Sequence, residues 1–260
     1  MALAEDEPRR VLELASPDEQ DRRVREERFA EITVRLTGGE DREGGGDGPL
    51  VLLMHGFGAP GTDLIGLWRV LDVPRDVRFA FPEAPNEIPG MFGARAWWML
   101  DLERAEVARA QGPRSYAGEV PPGMEAATDQ VVEMLAELQD ELAVPVERLI
   151  VGGFSQGSMA ACNAVFTRNV DPAALVILSG TPVNLSAWEA GMPRRQNLRV
   201  LQSHGERDPL LSFQAAQDLR DAMRAAGLQT EWIPFKGGHE IPMPVMDGLS
   251  RFLRDIALRT

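Results

Sequence analysis

The stretch of sequence that decides the fold reads LIVGGFSQGSMA over residues 149–160. It begins as a continuous apolar run, typical of a buried parallel strand, and breaks off in GFSQG at residues 153–157. A run of small residues with helical character follows at once. This layout fits G-x-S-x-G, a tight strand-to-helix turn that lifts Ser155 above the end of the strand. An ordinary glycine-rich turn between a strand and a helix is the alternative interpretation.

The turn also explains the residues on either side of the serine. A tight turn needs small residues two positions before and two positions after Ser155, and Gly153 and Gly157 occupy those positions. The first amides of the following helix would point toward an anion formed at the serine. We therefore predict that Ser155 is a nucleophile.

Composition limits the class of protein. The chain has 260 residues, of which 44% are hydrophobic and 26% are charged, which suits one large globular domain. The net charge of −13 argues against a nucleic-acid binder and against binding to an anionic membrane surface. No apolar run approaches the roughly 18 residues that a membrane span needs, and the charged first ten residues do not resemble a signal peptide. With Cys162 as its single cysteine, the chain forms no internal disulfide, and we predict a cytoplasmic protein with a buried, structural thiol.

The hydrophobic pattern predicts a charged N-terminal extension over residues 1–27 and one domain over residues 28–260. Predicted strands cover residues 28–37, 50–54, 78–81, 148–152, 174–179, 198–202 and 231–235. Predicted helices cover residues 62–71, 123–142, 156–166, 213–226 and 244–258. Strands that alternate with helices predict an α/β fold, with a mostly parallel sheet and helices on both faces. In such folds the chemistry collects at the carboxyl ends of the strands.

Three segments carry more specific expectations. Residues 28–37 alternate between apolar and polar and predict a half-exposed strand at a sheet edge. Residues 83–120 are rich in proline and glycine and are expected to be irregular, and residues 181–197 are expected to form a long loop.

An activated serine needs a base, and the base needs an acid that orients it. In hydrolases with this turn the chain order is serine, acid, histidine. Of the three histidines, His239 alone follows an acid suitably placed after Ser155, and that acid is Asp208. Glu206 is the competing acid, but Pro209 fixes the turn beside Asp208.

The other two histidines, His55 and His204, each follow an apolar run and precede a glycine, and we interpret both as braces for the backbone. A zinc site built from the three histidines is not expected, because no close pair such as H-E-x-x-H is present.

An oxyanion hole requires two amides that point at the developing negative charge. The backbone N–H of Gln156, directly after the nucleophile, should supply one. The loop after the strand at residues 50–54 should supply the other, and we assign it to the N–H of Phe57. The side chains of these two residues are not expected to act.

Four segments together indicate a resemblance to one protein family. MHGFG at residues 54–58, GFSQG at residues 153–157, HGERDP at residues 204–209 and the pair Gly238-His239 resemble the phospholipase/carboxylesterase branch of the α/β-hydrolases. That branch includes bacterial serine carboxylesterases and acyl-protein thioesterases. The resemblance covers about residues 50–258, and residues 1–49 and 102–120 depart from it as additions.

The resemblance implies a single α/β-hydrolase domain with a small lid or none. It implies hydrolysis of small-molecule carboxylic esters or thioesters through an acyl-enzyme, without cofactor or metal. Carried over position by position, the catalytic triad is Ser155, Asp208 and His239, and the oxyanion amides are those of Phe57 and Gln156.

Several alternatives remain open at this point. The activity of an acyl-protein thioesterase or a lysophospholipase is the enzymatic alternative, and a non-catalytic ligand-binding protein with the same fold is the alternative of another class. Neither acyl chain length nor oligomeric state follows from the sequence. Candidate walls of an acyl pocket, each near a predicted active-site loop, are Phe92, Trp97, Trp98, Trp188, Leu210 and Ile241.

Overall fold

A computed structural model describes residues 24–100, 112–113 and 115–259 of the chain. Its strands are β1 (Arg25–Phe29), β2 (Ile32–Gly38), β3 (Leu50–Met54), β4 (Arg78–Pro82), β5 (Asn86–Glu87), β6 (Arg95–Ala96), β7 (Leu149–Phe154), β8 (Ala174–Leu178), β9 (Arg199–Gly205) and β10 (Gln229–Phe235). Its helices are α1 (Leu67–Val70), α2 (Met124–Glu141), α3 (Gln156–Thr167), α4 (Leu185–Gly191), α5 (Phe213–Ala225) and α6 (Met243–Ala257). None of these helices combines the length and the apolar character needed to cross a membrane.

The central sheet has eight strands in the order β1-β2-β4-β3-β7-β8-β9-β10. The pairs β1–β2 and β2–β4 are antiparallel, and every other neighbouring pair is parallel. The carboxyl ends of β3, β7, β8, β9 and β10 therefore meet along one edge. The predicted α/β architecture with a mostly parallel sheet is confirmed.

Both faces of the sheet are covered. The apolar face formed by Leu50, Leu52 and Met54 packs under α2, α3, α4 and α5, whereas Val51 and Leu53 face α1 and α6. Because β3 is buried on both sides, its sequence is a continuous apolar run instead of an alternating one.

The predicted edge strand over residues 28–37 is wrong, because a hairpin divides it. Ala30 and Glu31, with φ of 44° and 65°, form the turn between β1 and β2. Such turns favour asparagine and glycine, so Ala-Glu gives no sequence signal for one. The edge strand is β1, and β2 lies between β1 and β4. Residues 25–27 of the predicted N-terminal extension belong to β1, and residues 1–23 lie outside the described part of the chain.

The predicted loop over residues 181–197 is also wrong, because it contains α4 and a 3₁₀ turn at Met192–Arg195. Asn184 is a residue type that can signal the start of a helix, but it begins α4 with φ of 48° and its side chain makes no capping hydrogen bond. Contacts distant in sequence hold it instead: the amides of Asn184 and Leu185 donate to Glu119 O at 2.9 Å and Ala117 O at 2.8 Å.

The remaining predicted helices and strands are present with ends displaced by a few residues, except the helix over residues 62–71. Only Leu67–Val70 is helical there, and it begins at Gly66 instead of at the predicted caps Thr62 or Asp63. The irregular segment at residues 83–120 contains the short β5–β6 hairpin, while residues 101–111 and 114 lie outside the described residues.

Candidate active site

Ser155 occupies a sharp turn between the end of β7 and the start of α3. Its backbone has φ of 52° and ψ of −120°, a conformation that non-glycine residues rarely adopt. Its N–H donates to Leu178 O on β8 at 2.8 Å, which anchors the turn to the neighbouring strand. Strain of this kind persists only where the surroundings fix it, and it is typical of functional sites.

The two glycines of the turn are required by the close approach of β3. A Cβ on Gly153 would lie 2.4 Å from Met54 O, and one on Gly157 would lie 2.1 Å from the same oxygen. These separations are too short for any real Cβ atom. The end of β3 and the turn at Ser155 can therefore approach each other only because both positions lack a side chain.

Asp208 and His239 are joined by a hydrogen bond. Asp208 follows β9, His239 follows β10, and His239 Nδ1 lies 2.6 Å from Asp208 Oδ2. Asp208 Oδ1 accepts the backbone N–H groups of Leu210 at 2.8 Å and Leu211 at 3.0 Å. The competing acid Glu206 is exposed to solvent.

These bonds decide the charge of Asp208. Burial by itself would raise the pKa of this carboxyl, since its side chain is fully buried. The hydrogen bond from His239 and those from the Leu211 and Leu210 amides outweigh burial, so the pKa of Asp208 lies below its ordinary value. Asp208 is thus a buried carboxylate whose negative charge is available to an imidazolium beside it.

The ring of His239 lies against the turn that holds the serine. Its centroid is 4.8 Å from the ring centroid of Phe154, the residue immediately before Ser155. Asp208 engages Nδ1, which leaves Nε2 as the free nitrogen of a half-buried ring. The arrangement brings the three predicted residues to the same edge of the sheet.

The two amides assigned to the oxyanion hole have no competing acceptor. Among the described residues, no atom accepts a hydrogen bond from the N–H of Phe57 or from that of Gln156. The loop that carries Phe57 passes beside the nucleophile, since a Cβ on Gly56 would be 3.3 Å from Ser155 Cβ. Gln156 is the first residue of α3, where the helix dipole is positive.

His55 braces the backbone as predicted. Its Nε2 accepts the N–H of Ala84 at 3.1 Å, so Nδ1 carries the hydrogen and donates to Gly56 O at 2.8 Å. Burial lowers the pKa of His55, although the Gly56 carbonyl partly offsets this effect. The ring is therefore a neutral support under the loop that carries Phe57.

His204 supports the acid loop. Its Nε2 lies 3.2 Å from Leu211 O and 3.5 Å from Asp208 Oδ2, and both are acceptors, so Nε2 carries the hydrogen. Burial lowers the pKa of His204, which keeps the ring neutral. The predicted bracing role extends to Asp208 itself, a contact that the sequence does not indicate.

The six candidate pocket residues differ in their exposure to solvent. Trp188 has no exposed surface: its indole N–H donates to Asn163 Oδ1 at 2.8 Å, and its ring packs against Phe166 in the core under the sheet. Trp188 therefore offers no surface to a substrate, in contrast to the expectation. Trp97 and Trp98 are both buried as well.

The other three candidates are accessible. Phe92 is fully exposed between β5 and β6, and Leu210 is partly exposed two residues after Asp208. Ile241, two residues after His239, is half-buried and packs against the core on the α6 face.

Sequence reasoning missed the side chain of Gln156. Its Oε1 accepts the N–H of Trp97 at 3.0 Å, and its Nε2 donates to Trp98 O at 2.8 Å. The sequence carries no signal for this role; it follows from the burial of Gln156 in the fold, because a buried amide needs partners.

Comparisons with known proteins show the family to which this chain belongs. The model of the phospholipase/carboxylesterase family matches residues 44–257. Acyl-protein thioesterase 1 of Mycosarcoma maydis is 31% identical over 195 residues, which are 67% of this chain and 75% of the relative. A probable carboxylesterase of Oryza sativa subsp. japonica is 26% identical over 79% of this chain and 76% of its own length.

Among solved structures, esterase PE8 superposes with a TM-score of 0.72 at 27% identity, covering 86% of this chain and 99% of that one. The family match covers β3 to β10 and the edge of the sheet at which Ser155, Asp208 and His239 lie, whereas β1 and β2 precede it. The chain therefore belongs to the phospholipase/carboxylesterase family, with the α/β-hydrolase fold of a carboxylic ester hydrolase.

Proposed function

We propose that this carboxylic ester hydrolase works through a triad of Ser155, Asp208 and His239, with an oxyanion hole made by the amides of Phe57 and Gln156. The observation that carries the proposal is the 2.6 Å hydrogen bond between His239 and a buried, ionised Asp208. That bond lies beside the turn at Ser155, since the His239 ring contacts the ring of Phe154, and a serine nucleophile needs a base that an acid orients in this way.

The first half of the reaction forms an acyl-enzyme. His239 Nε2 takes the proton of Ser155 while the oxygen attacks the ester carbonyl, and the carbonyl oxygen becomes an oxyanion. The N–H groups of Phe57 and Gln156 donate to this oxyanion, and each such donor is typically worth about 10²–10³-fold in turnover. Protonated His239 then gives its proton to the departing alcohol.

The second half releases the acid. Water attacks the acyl-enzyme carbonyl with His239 as its base, the same two amides hold the second oxyanion, and Ser155 regains its proton. Throughout, Asp208 fixes the tautomer of His239 and stabilises the imidazolium without taking its proton.

We propose Leu210, Ile241 and Phe92 as the apolar surface that receives the substrate. Leu210 and Ile241 each lie two residues from a proposed triad member, in the loops after β9 and β10 at the sheet edge that also holds Ser155. Phe92 exposes its whole ring to solvent in the loop between β5 and β6. Trp97, Trp98 and Trp188 are left out because they are buried.

The test is the hydrolysis of short p-nitrophenyl esters by the purified protein and by Ser155→Ala. The variant should keep its circular dichroism spectrum and lose turnover. Turnover equal to that of the wild type would show that Ser155 is not the nucleophile.

A second candidate is thioester hydrolysis on acylated proteins. It is favoured by the relatives that are named acyl-protein thioesterases. The ratio of kcat/KM for an acyl thioester to that for the matching oxygen ester separates the two substrates. A ligand-binding protein without activity, the alternative of another class, would bind these compounds and hydrolyse neither.

We also propose a cytoplasmic location. Cys162 is buried and unpaired, and burial raises the pKa of its thiol. The described fold therefore needs no oxidising compartment. Fractionation of the cells that produce the protein tests the location.

A further inference from the structure

The oxyanion loop, residues 55–59, needs support from outside itself. Gly56 and Gly58 give this stretch a permissive backbone, and Gly58 adopts φ of 82° with no atom within 4 Å of where a Cβ would be. An oxyanion donor is effective only if it is held in place before the charge develops. Some other group must therefore fix the amide of Phe57.

That support comes from the tryptophan segment, residues 95–98. The N–H of Gly58 donates to Arg95 O at 2.9 Å, and the N–H of Arg95 donates to Ala59 O at 3.1 Å. The indole N–H of Trp97 donates to His55 O at 2.9 Å. Three hydrogen bonds thus attach the oxyanion loop to one short segment.

The same segment is attached to the residue after the nucleophile. The side chain of Gln156 accepts from Trp97 N–H at 3.0 Å and donates to Trp98 O at 2.8 Å. Gln156 is 3% exposed, so water does not compete for these bonds. From the other side, Asn86 Nδ2 donates to Ala96 O at 3.1 Å and to Trp97 O at 2.9 Å.

We propose that the side chains of Gln156 and Trp97 are positioning residues that set the separation between the two oxyanion amides. One amide belongs to Gln156 itself, and the other is fixed through Trp97, His55 O and the oxyanion loop. The inference rests on the proposed function, because it assigns a role toward the oxyanion of that reaction. In this account the tryptophan segment, which we call the bracket, is a structural support that holds the ends of β3 and β7 in place. It is not a wall of the acyl pocket.

A bracket of this kind acts on the transition state and not on substrate binding. Gln156→Met keeps the backbone amide and the length of the side chain, but removes both hydrogen bonds to the tryptophan segment. We expect kcat to fall about 10- to 100-fold, as a misplaced donor would cause, while KM stays within about twofold. Affinity for a boronic acid, whose tetrahedral adduct places an oxygen in the oxyanion hole, should fall by the same factor as kcat.

Gln202→Met is the matched control. Gln202 is also fully buried, and its Nε2 donates to a backbone oxygen, Ala216 O, at 2.8 Å on the α5 face of the sheet. This change removes a comparable hydrogen bond that does not reach either oxyanion amide. It should lower the melting temperature by no more than Gln156→Met does, because Gln202 makes one such bond and its buried Oε1 has no partner. It should leave kcat and boronic acid affinity unchanged.

Trp97→Phe tests the bracket from its other end. It keeps a buried aromatic ring and removes the bond to His55 O, and Trp188→Phe is its control because it removes the indole bond to Asn163 in the core. Trp97→Phe should lower kcat and boronic acid affinity together, and Trp188→Phe should lower neither. In the double variant Gln156→Met/Trp97→Phe the losses should be less than additive, because both act on one bracket.

The outcomes distinguish failure of the proposed function from failure of the role assigned to the Gln156 and Trp97 side chains. Absence of ester and thioester hydrolysis by the wild type would reject the proposed function. An active wild type with a folded Gln156→Met variant of unchanged kcat would overturn the inference alone, as would an equal loss of kcat in Gln202→Met. If Gln156→Met does not fold, the comparison of Trp97→Phe with Trp188→Phe decides, and equal kcat in those two variants would overturn the inference.

Discussion

His239 Nδ1 lies 2.6 Å from Asp208 Oδ2, and this bond fixes the tautomer in which Nε2 of the imidazole is the base. Asp208→Asn replaces the accepting oxygen with an amide that donates when turned toward the ring. The ring would then present the wrong tautomer, and we expect kcat/KM to fall by about 10³–10⁴-fold with the fold retained.

Ester hydrolysis by purified Asp208→Asn measures this loss. Glu206→Gln removes an exposed carboxylate two residues earlier and serves as the control, with turnover close to that of the wild type. A larger loss in Glu206→Gln than in Asp208→Asn would move the acid of the triad to Glu206.

His55 gives the stability of the protein a defined dependence on pH. Burial lowers the pKa of His55, and its Nε2 can accept the Ala84 N–H only while it is unprotonated. The contribution of the neutral ring is complete above the pKa of the unfolded state, about 6.5. As pH falls below that value the unfolded chain binds a proton that the folded chain does not, so the free energy of unfolding decreases.

Urea unfolding of the wild type and His55→Gln between about pH 5 and 8 tests this sign. The variant should show a shallower decrease toward acid, by at most about one proton per molecule, and the two proteins should differ by a constant amount above pH 7. His204, whose pKa burial also lowers, contributes in the same direction and accounts for part of the slope that remains. An unchanged slope in His55→Gln would contradict the neutral assignment.

Gly157 is the residue of the turn at Ser155 with the least space for a side chain. Alanine there would place a Cβ 2.1 Å from Met54 O and 2.6 Å from His55 O, so β3 and α3 would have to separate. We expect Gly157→Ala to destabilise the protein by about 1–3 kcal/mol, as overpacking does, and to lower turnover because the oxyanion loop moves with β3.

Chemical denaturation and ester turnover together measure both effects. Gly66→Ala is the matched control, because Gly66 has φ of −57° and no atom within 4 Å of the position that an alanine Cβ would take. It should change stability by no more than about 0.5 kcal/mol. Equal stability of the two variants would contradict the packing argument.

The sheet and the order of the site were predictable because their signals are local. GFSQG at residues 153–157 identifies the turn by itself, and the apolar runs before His55, Asp208 and His239 mark strands. Once strands alternate with helices, parallel pairing brings the residues after those strands to one edge. The family resemblance supplied the same positions independently.

What the sequence did not predict depends on contacts between distant segments. The Ala30-Glu31 turn lacks the asparagine or glycine that favours such turns, and the Ala30 N–H donates to the distant carboxylate of Glu137. Asn184 is a residue type that can begin a helix, but the start of α4 is held by hydrogen bonds to the backbone of residues 117 and 119. The burial of Trp188 follows from the helix that carries it, whereas the sequence pattern predicts a loop there. The role of the Gln156 amide depends on where Trp97 and Trp98 lie, and no spacing in the sequence gives that.

The central claim is that Ser155 is a nucleophile activated by His239, and labelling with a fluorophosphonate tests it most directly. Intact-mass measurement followed by peptide mapping should find a single adduct on the peptide that carries Ser155. The adduct should be absent in Ser155→Ala and should form much more slowly in Asp208→Asn. Equal labelling of Ser155→Ala, or no labelling of the wild type, would contradict the account.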